Sequence, residues 1–148
     1  MKLVVRSLEQ EIFKPFGRVL EPWSQEIPEV TEPGAFDFFV LFKESATSWQ
    51  VGYLEQKADA FCRLECHPNT PEVFVPLKGE SVIVLANTPV QQGQITAFRL
   101  DKPVVLNCGV WHGVISLDGL SEILIVENSD VIDEYFDLEK PIDVSVLG

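Results

Sequence analysis

The sequence predicts an all-β fold, a barrel or sandwich, preceded by one short helix. Three observations carry that reading. From Phe36 onward the apolar residues alternate with polar ones in short runs, the period of a half-buried strand. Turn residues break the runs at near-regular intervals, as in compact antiparallel folds. Finally, 46% of the 148 residues are hydrophobic, enough for a sizeable core and too many for a disordered chain.

The elements follow in order. Ser7–Gln10 reads as a capping box that opens a helix ending near Phe13, where Pro15 and Gly17 stop it. Residues 21–35 hold Pro22, Pro28, Pro33 and Gly34 and read as a loop or extended arm. Candidate strands are 36–43, 48–55, 60–67, 72–77, 80–86, 95–100, 103–107, 110–117 and 121–127. Pro68–Asn69, Lys78–Gly79, Gln92–Gly93, Asp101–Pro103, Asn107–Gly109 and Asp118–Gly119 supply the turns. The acidic tail 130–140 forms either one helical turn or a cap on a sheet edge. The expected organisation is a single domain over 1–148, with a helix and arm over 1–35, a barrel over 36–127 and a tail over 128–148.

Composition excludes some partners. Lys and Arg number 11 and Asp and Glu 23, a net charge of −12. Such a surface repels phosphate backbones, so nucleic acid is not an expected partner. The Met1–Arg6 run is too short for a signal peptide, and no apolar stretch reaches the roughly 20 residues of a membrane span. Cys62, Cys66 and Cys108 are odd in number and lack a paired motif; three reduced, buried thiols in a cytoplasmic protein are expected. A Cys66–His67 dyad is disfavoured, because neighbours on a strand point to opposite faces.

The chemistry concentrates around the only two histidines, His67 and His112. On strand 60–67, alternation puts Phe61, Arg63, Glu65 and His67 on one face and Cys62, Leu64 and Cys66 on the other. A glutamate and a histidine two residues apart can reach one ion from a single strand. Glu72 follows after a Pro-rich turn, and His112 comes from a later strand. Glu65, His67, Glu72 and His112 therefore form the candidate site. They are either ligands for a divalent metal such as Mn, Fe, Ni or Zn, or a metal-free acid–base set. His67 or Glu72 is the candidate base and His112 the candidate acid. Arg63 either clamps a substrate carboxylate or pairs with Glu65. Lys78 is a second candidate for that carboxylate, or an ordinary surface lysine. Trp111 and Phe74 read as core, Cys108 as buried and inert, and Glu127 as solvated.

The spacing of these residues resembles the two motifs of the cupin superfamily. Glu65-x-His67, four residues, Glu72, six residues and Gly79 follow the first, with Glu65 where a histidine is usual. Asn107-x-Gly109-x-x-His112 follows the second, with Asn107 for proline and Ser116 for the closing asparagine. The resemblance implies a double-stranded β-helix, a jelly-roll-like barrel.

Within that superfamily, Glu11–Leu20, Glu65–Pro68, Val75–Glu80 and Gly109–His112 resemble the ureidoglycolate lyase family and keep its order along the chain. The resemblance implies a homodimer that splits ureidoglycolate, a small acid, into glyoxylate and urea during purine or allantoin catabolism. The chain departs from the family pattern at Gly113 and Val114, where a second histidine and a proline usually follow Trp111–His112. Two other readings remain open: a non-catalytic small-molecule-binding barrel, and a metal-dependent cupin isomerase or dioxygenase for another small acid.

Overall fold

The computed structural model describes residues 2–88 and 94–148; the expected turn at Gln92–Gly93 lies outside them. Among the described residues thirteen strands and one α-helix form: β1 (Val5–Arg6), α1 (Gln10–Phe13), β2 (Gly17–Val19), β3 (Val30–Glu32), β4 (Phe36–Phe38), β5 (Gln50–Gln56), β6 (Ala60–Cys66), β7 (Glu72–Lys78), β8 (Ser81–Ala86), β9 (Thr96–Arg99), β10 (Val104–Leu106), β11 (Trp111–Ser116), β12 (Ser121–Glu127) and β13 (Glu134–Asp143).

The strands from β5 to β12 pass back and forth between two sheets, except that β8 and β9 are neighbours in one sheet. One sheet runs β1-β9-β8-β11-β6-β13, the other β2-β10-β7-β12-β5. The central order, 5-12-7-10 facing 6-11-8-9, is that of a jelly roll, the double-sheet arrangement found in cupins. Turns between successive strands fit tightly. At Gly79, φ is +81° and a Cβ would stand 2.3 Å from the Leu120 carbonyl oxygen, so only glycine suits the β7–β8 turn.

Apolar residues fill two layers. Inside the barrel lie Phe13, Phe16, Val19, Phe74, Ile83, Leu85, Phe98, Leu106, Ile123 and Ile125. Outside the six-stranded sheet, Leu3, Leu138 and Ile142 from the two termini cover Leu64, Val82, Val84 and Ile115. β8 is therefore buried on both faces, which explains why Val82–Ala86 is uniformly apolar instead of alternating.

Several expectations are corrected. The capping box does not form: Glu9 is the N-cap, without a side-chain hydrogen bond, and the Ser7 carbonyl instead accepts from the Glu9 amide. The expected strand 36–43 does not join the barrel, whose sheets take in β1 and β2 from the N-terminal segment and resume at Gln50. Of 36–43 only Phe36–Phe38 is a strand, and it pairs with β3 in a separate exposed hairpin. The tail forms no helical turn over 130–140. Tyr135, Phe136 and Asp137 pair with β6 and extend the sheet as its edge, and a 3₁₀ turn follows at Val144–Val146. Of the cysteines, only Cys66 is buried; Cys62 and Cys108 are exposed.

Candidate metal and active site

β6, β7, β11 and β12 bring the site together. His112 stands opposite Glu65 across the β11–β6 pair. Glu127 stands opposite Glu72 across the β12–β7 pair. His67 follows the last residue of β6, and its carbonyl accepts a hydrogen bond of 2.9 Å from the Gly109 amide. That bond ties the two histidine-bearing segments together.

The donor atoms crowd one point. His67 Nε2 lies 3.1 Å from Glu65 Oε1 and 3.1 Å from Glu72 Oε1. His112 Nε2 lies 3.6 Å from Glu65 Oε1 and 3.3 Å from Glu72 Oε1. His67, His112 and Glu72 are all buried. When His67 is neutral and protonated at Nδ1, its Nε2 has no hydrogen to donate, and neither it nor Glu72 Oε1 has a hydrogen-bond partner. The other ring nitrogens are occupied: His67 Nδ1 is 3.3 Å from the Ile132 carbonyl and 3.0 Å from Asp133 Oδ1, and His112 Nδ1 is 3.3 Å from the Val110 carbonyl. Imidazoles that donate through Nδ1 present a lone pair at Nε2, as metal-bound histidines do.

This arrangement fits a divalent cation. Bonds of about 2.1 Å to one six-coordinate ion put neighbouring donors about 3 Å apart, close to the four separations above. A buried nitrogen and a buried carboxylate oxygen without partners are costly in a protein interior, and an ion satisfies both. Glu65, His67 and His112 form one such donor group, and His67, Glu72 and Glu127 another that shares His67.

Electrostatics reinforce the picture. The two imidazoles, His112 foremost, hold the Glu65 carboxyl well below the usual carboxylate range. Burial works against the His67 imidazolium, but Glu65 and Glu72 outweigh it and push its pKa up to about 11. Burial, and next the charge of Glu72, pushes Glu127 up.

An open cavity of about 440 Å³ leads to these donors, bordered among others by Phe61, Arg63, Glu65, Glu72, His112 and Glu127. Arg63 reaches it while its Nε donates to Asp137 Oδ1 at 2.8 Å, so Arg63 pairs with Asp137, not with Glu65. Lys78 is not brought to the site. It lies at the opposite end of β7 from Glu72, about 20 Å away at the rise of a strand, exposed and 3.9 Å from Glu122. Phe74 is core as expected, its ring 5.6 Å from that of His112. Trp111 packs in the outer layer against Phe136, with ring centroids 6.3 Å apart. Burial pushes the Cys66 thiol up, which disfavours the thiolate a nucleophile needs.

Two site residues were missed by sequence reasoning. Glu127 was expected in solvent but is half-buried beside Glu72. Its place at the end of an alternating strand was visible; its pairing with Glu72 was not. Phe61 was placed on the site face, but its partner was not foreseen. A Cβ at Gly113 would come within 2.6 Å of the Phe61 ring, so the glycine that departs from the family pattern is the floor on which that ring lies.

A jelly roll carrying imidazole and carboxylate donors in its interior is a cupin-type fold. More narrowly, residues 1–144 match the family described as ureidoglycolate lyase, and the chain belongs to it. It is 27% identical over 152 aligned residues to a ureidoglycolate lyase of Pseudomonas fluorescens strain SBW25, covering 90% of each chain. It is 29% identical to one of Stutzerimonas stutzeri strain A1501, covering 90% of this chain and 89% of that one. Among solved structures it is similar to a mutant oxalate decarboxylase of Bacillus subtilis, at TM-score 0.46 and 15% identity, covering 62% of this chain and 24% of that one. A dTDP sugar isomerase of Desulfovibrio desulfuricans G20 gives TM-score 0.44 at 11% identity, covering 87% and 82%.

Proposed function

We propose that this protein is a ureidoglycolate lyase, releasing glyoxylate and urea from ureidoglycolate. The family match over residues 1–144 carries the reading. The convergence of His67, Glu72 and His112 supports it with the chemistry the reaction needs.

Ureidoglycolate is a hemiaminal: one carbon bears both a hydroxyl and the urea nitrogen. Cleavage moves the hydroxyl proton to that nitrogen while the C–N bond breaks and the carbonyl forms. Glu72 is the base. Its Oε1 faces the two imidazoles, which leaves Oε2 to accept the hydroxyl proton and return it to the departing nitrogen. Arg63 receives the substrate carboxylate, because its terminal nitrogens extend beyond the Nε bond to Asp137. Glu65, His67, Glu72 and His112 would hold a divalent transition metal, of the class Mn, Fe, Ni or Zn. Such an ion would supply a positive charge against the oxygen that becomes the carbonyl. A metal-free version has one observation in its favour: Glu65 and Glu72 hold His67 protonated, which would make an imidazole the acid.

Purified protein incubated with ureidoglycolate should release glyoxylate and urea in equal amounts. Glu72→Gln preserves shape and removes the base, and should lower the rate by roughly 10²-fold or more. Absence of glyoxylate with Mn²⁺, Ni²⁺, Zn²⁺ or no metal added would instead favour a binding protein or an isomerase or dioxygenase of another acid.

The same reading places the protein in the cytoplasm, in purine-derived ureide breakdown, and as a homodimer. The outer face of the five-stranded sheet supports the last. Val51 packs beside Val126, and Tyr53 beside Leu124, with Val51, Tyr53 and Leu77 exposed. A second copy would cover that apolar row. No helix of the described residues is long and apolar enough to cross a membrane.

A further inference from the structure

We propose that Glu127 is a fifth donor to the cation site, and that it makes the site favour a six-coordinate, oxygen-preferring ion such as Mn²⁺ over tetrahedral Zn²⁺. The inference rests on reading the His67 cluster as a cation site.

Three observations support it. Glu127 and Glu72 are direct cross-strand partners with both side chains turned inward. Two carboxylates opposite each other on neighbouring strands repel, and a cation between them would offset that cost. Next, one Glu127 oxygen lies within 4.8 Å of both a His67 nitrogen and a Glu72 oxygen. Opposite donors around an ion with bonds of about 2.1 Å stand about 4.2 Å apart, so Glu127 is within reach of an ion held by His67 and Glu72, and it joins Glu65 and His112 in one shell when its side chain draws in toward that ion. Finally, His67 Nε2 and Glu72 Oε1, both on nine-tenths buried side chains, are without a hydrogen-bond partner. They mark the space between the carboxylates as the place of a missing positive group.

The count of donors then sets the preference. Two imidazoles and two carboxylates already satisfy tetrahedral Zn²⁺. A third carboxylate adds an oxygen ligand and a negative charge that only an ion of higher coordination number uses, and oxygen-rich sets suit Mn²⁺. Five protein donors leave one of six positions for a substrate oxygen.

The test is calorimetric titration of metal-free wild type and Glu127→Gln with Mn²⁺ and with Zn²⁺, together with melting curves of both metal-free proteins. Glu127→Gln should bind Mn²⁺ at least about tenfold more weakly and lose much less affinity for Zn²⁺. It should melt higher than wild type without metal, because the repulsion from Glu72 is gone. A wild type that binds Mn²⁺ and a variant that binds it equally well would overturn the role of Glu127 while leaving the cation site intact. Equal losses for both ions would overturn the preference. A wild type that binds neither ion would overturn the cation site itself, and Glu127 with it. The melting curves report folding independently, so a weak-binding variant that melts at or above wild type is folded.

Discussion

The interior of this barrel has two regions built on opposite terms. In one, Phe13, Phe16 and Phe98 meet edge to face, with centroids 5.2–6.2 Å apart, and Val19 and Leu106 close around them. Every group there is apolar and has a neighbour. In the other, donors from Glu65, His67, Glu72 and His112 crowd together, and three buried polar atoms, His67 Nε2, Thr70 Oγ1 and Glu72 Oε1, lack a hydrogen-bond partner. The first region lowers the free energy of the fold; the second, with buried polar atoms that lack partners, raises it. β7 links the two regions: Phe74 packs in the core while Glu72, two residues earlier, faces the imidazoles. The difference teaches that substitutions in the two regions should separate stability from function.

The largest expected effect lies in the aromatic region. Phe13 is fully buried, so Phe13→Ala should cost about 3–5 kcal/mol of stability in urea unfolding, without changing cation affinity in the protein that remains folded. The donor region should respond to pH instead. His67 must be neutral to offer Nε2 to an ion, yet its pKa without metal is raised from 6.5 to about 11. Protons and ion therefore compete, and calorimetry should show affinity falling by up to about tenfold per unit of pH lowered. For stability of the metal-free protein the sign reverses. A raised folded-state pKa stabilises fully below pH 6.5, and the contribution declines as pH rises toward 11.

Gly113 tests the border. Gly113→Ala forces the Phe61 ring aside and should cost about 1–3 kcal/mol by overpacking; adding Phe61→Ala should recover part of it, as a double-mutant cycle would read. The smallest effect belongs to Lys78. Lys78→Ala should change stability by less than about 0.5 kcal/mol and leave KM for ureidoglycolate unaltered, whereas Arg63→Ala should raise KM. Equal effects of the two would contradict the assignment of the carboxylate to Arg63.

Local patterns carried much of this in the sequence. Alternation and turn residues located the eight barrel strands from β5 to β12, because each is written within a few neighbouring residues. The Glu65, His67, Glu72 and His112 set was legible from spacing, since a strand fixes which residues share a face. What depended on partners far along the chain was not legible. Glu127 looks like a solvated strand end until β12 lies beside β7. For the tail over 130–140 the sequence leaves a helical turn and a sheet-edge cap open; the edge holds, and the strand partner β6 decides it. Ser7 has the right neighbours for a capping box, but the chain entering from β1 sets the backbone there. Lys78 shares a strand with Glu72, and only the length of that strand removes it from the site.

The hydrogen bond from the Gly109 amide to the His67 carbonyl makes the site one exchange unit. That amide can meet solvent deuterium only when the segment after β6 parts from the loop before β11. Its protection therefore reads the closed fraction of the site directly, at a single backbone position, and a cation held by His67 and His112 would keep the same two segments together. Slow exchange at Gly109 becomes the backbone's own record of whether the two histidines are joined.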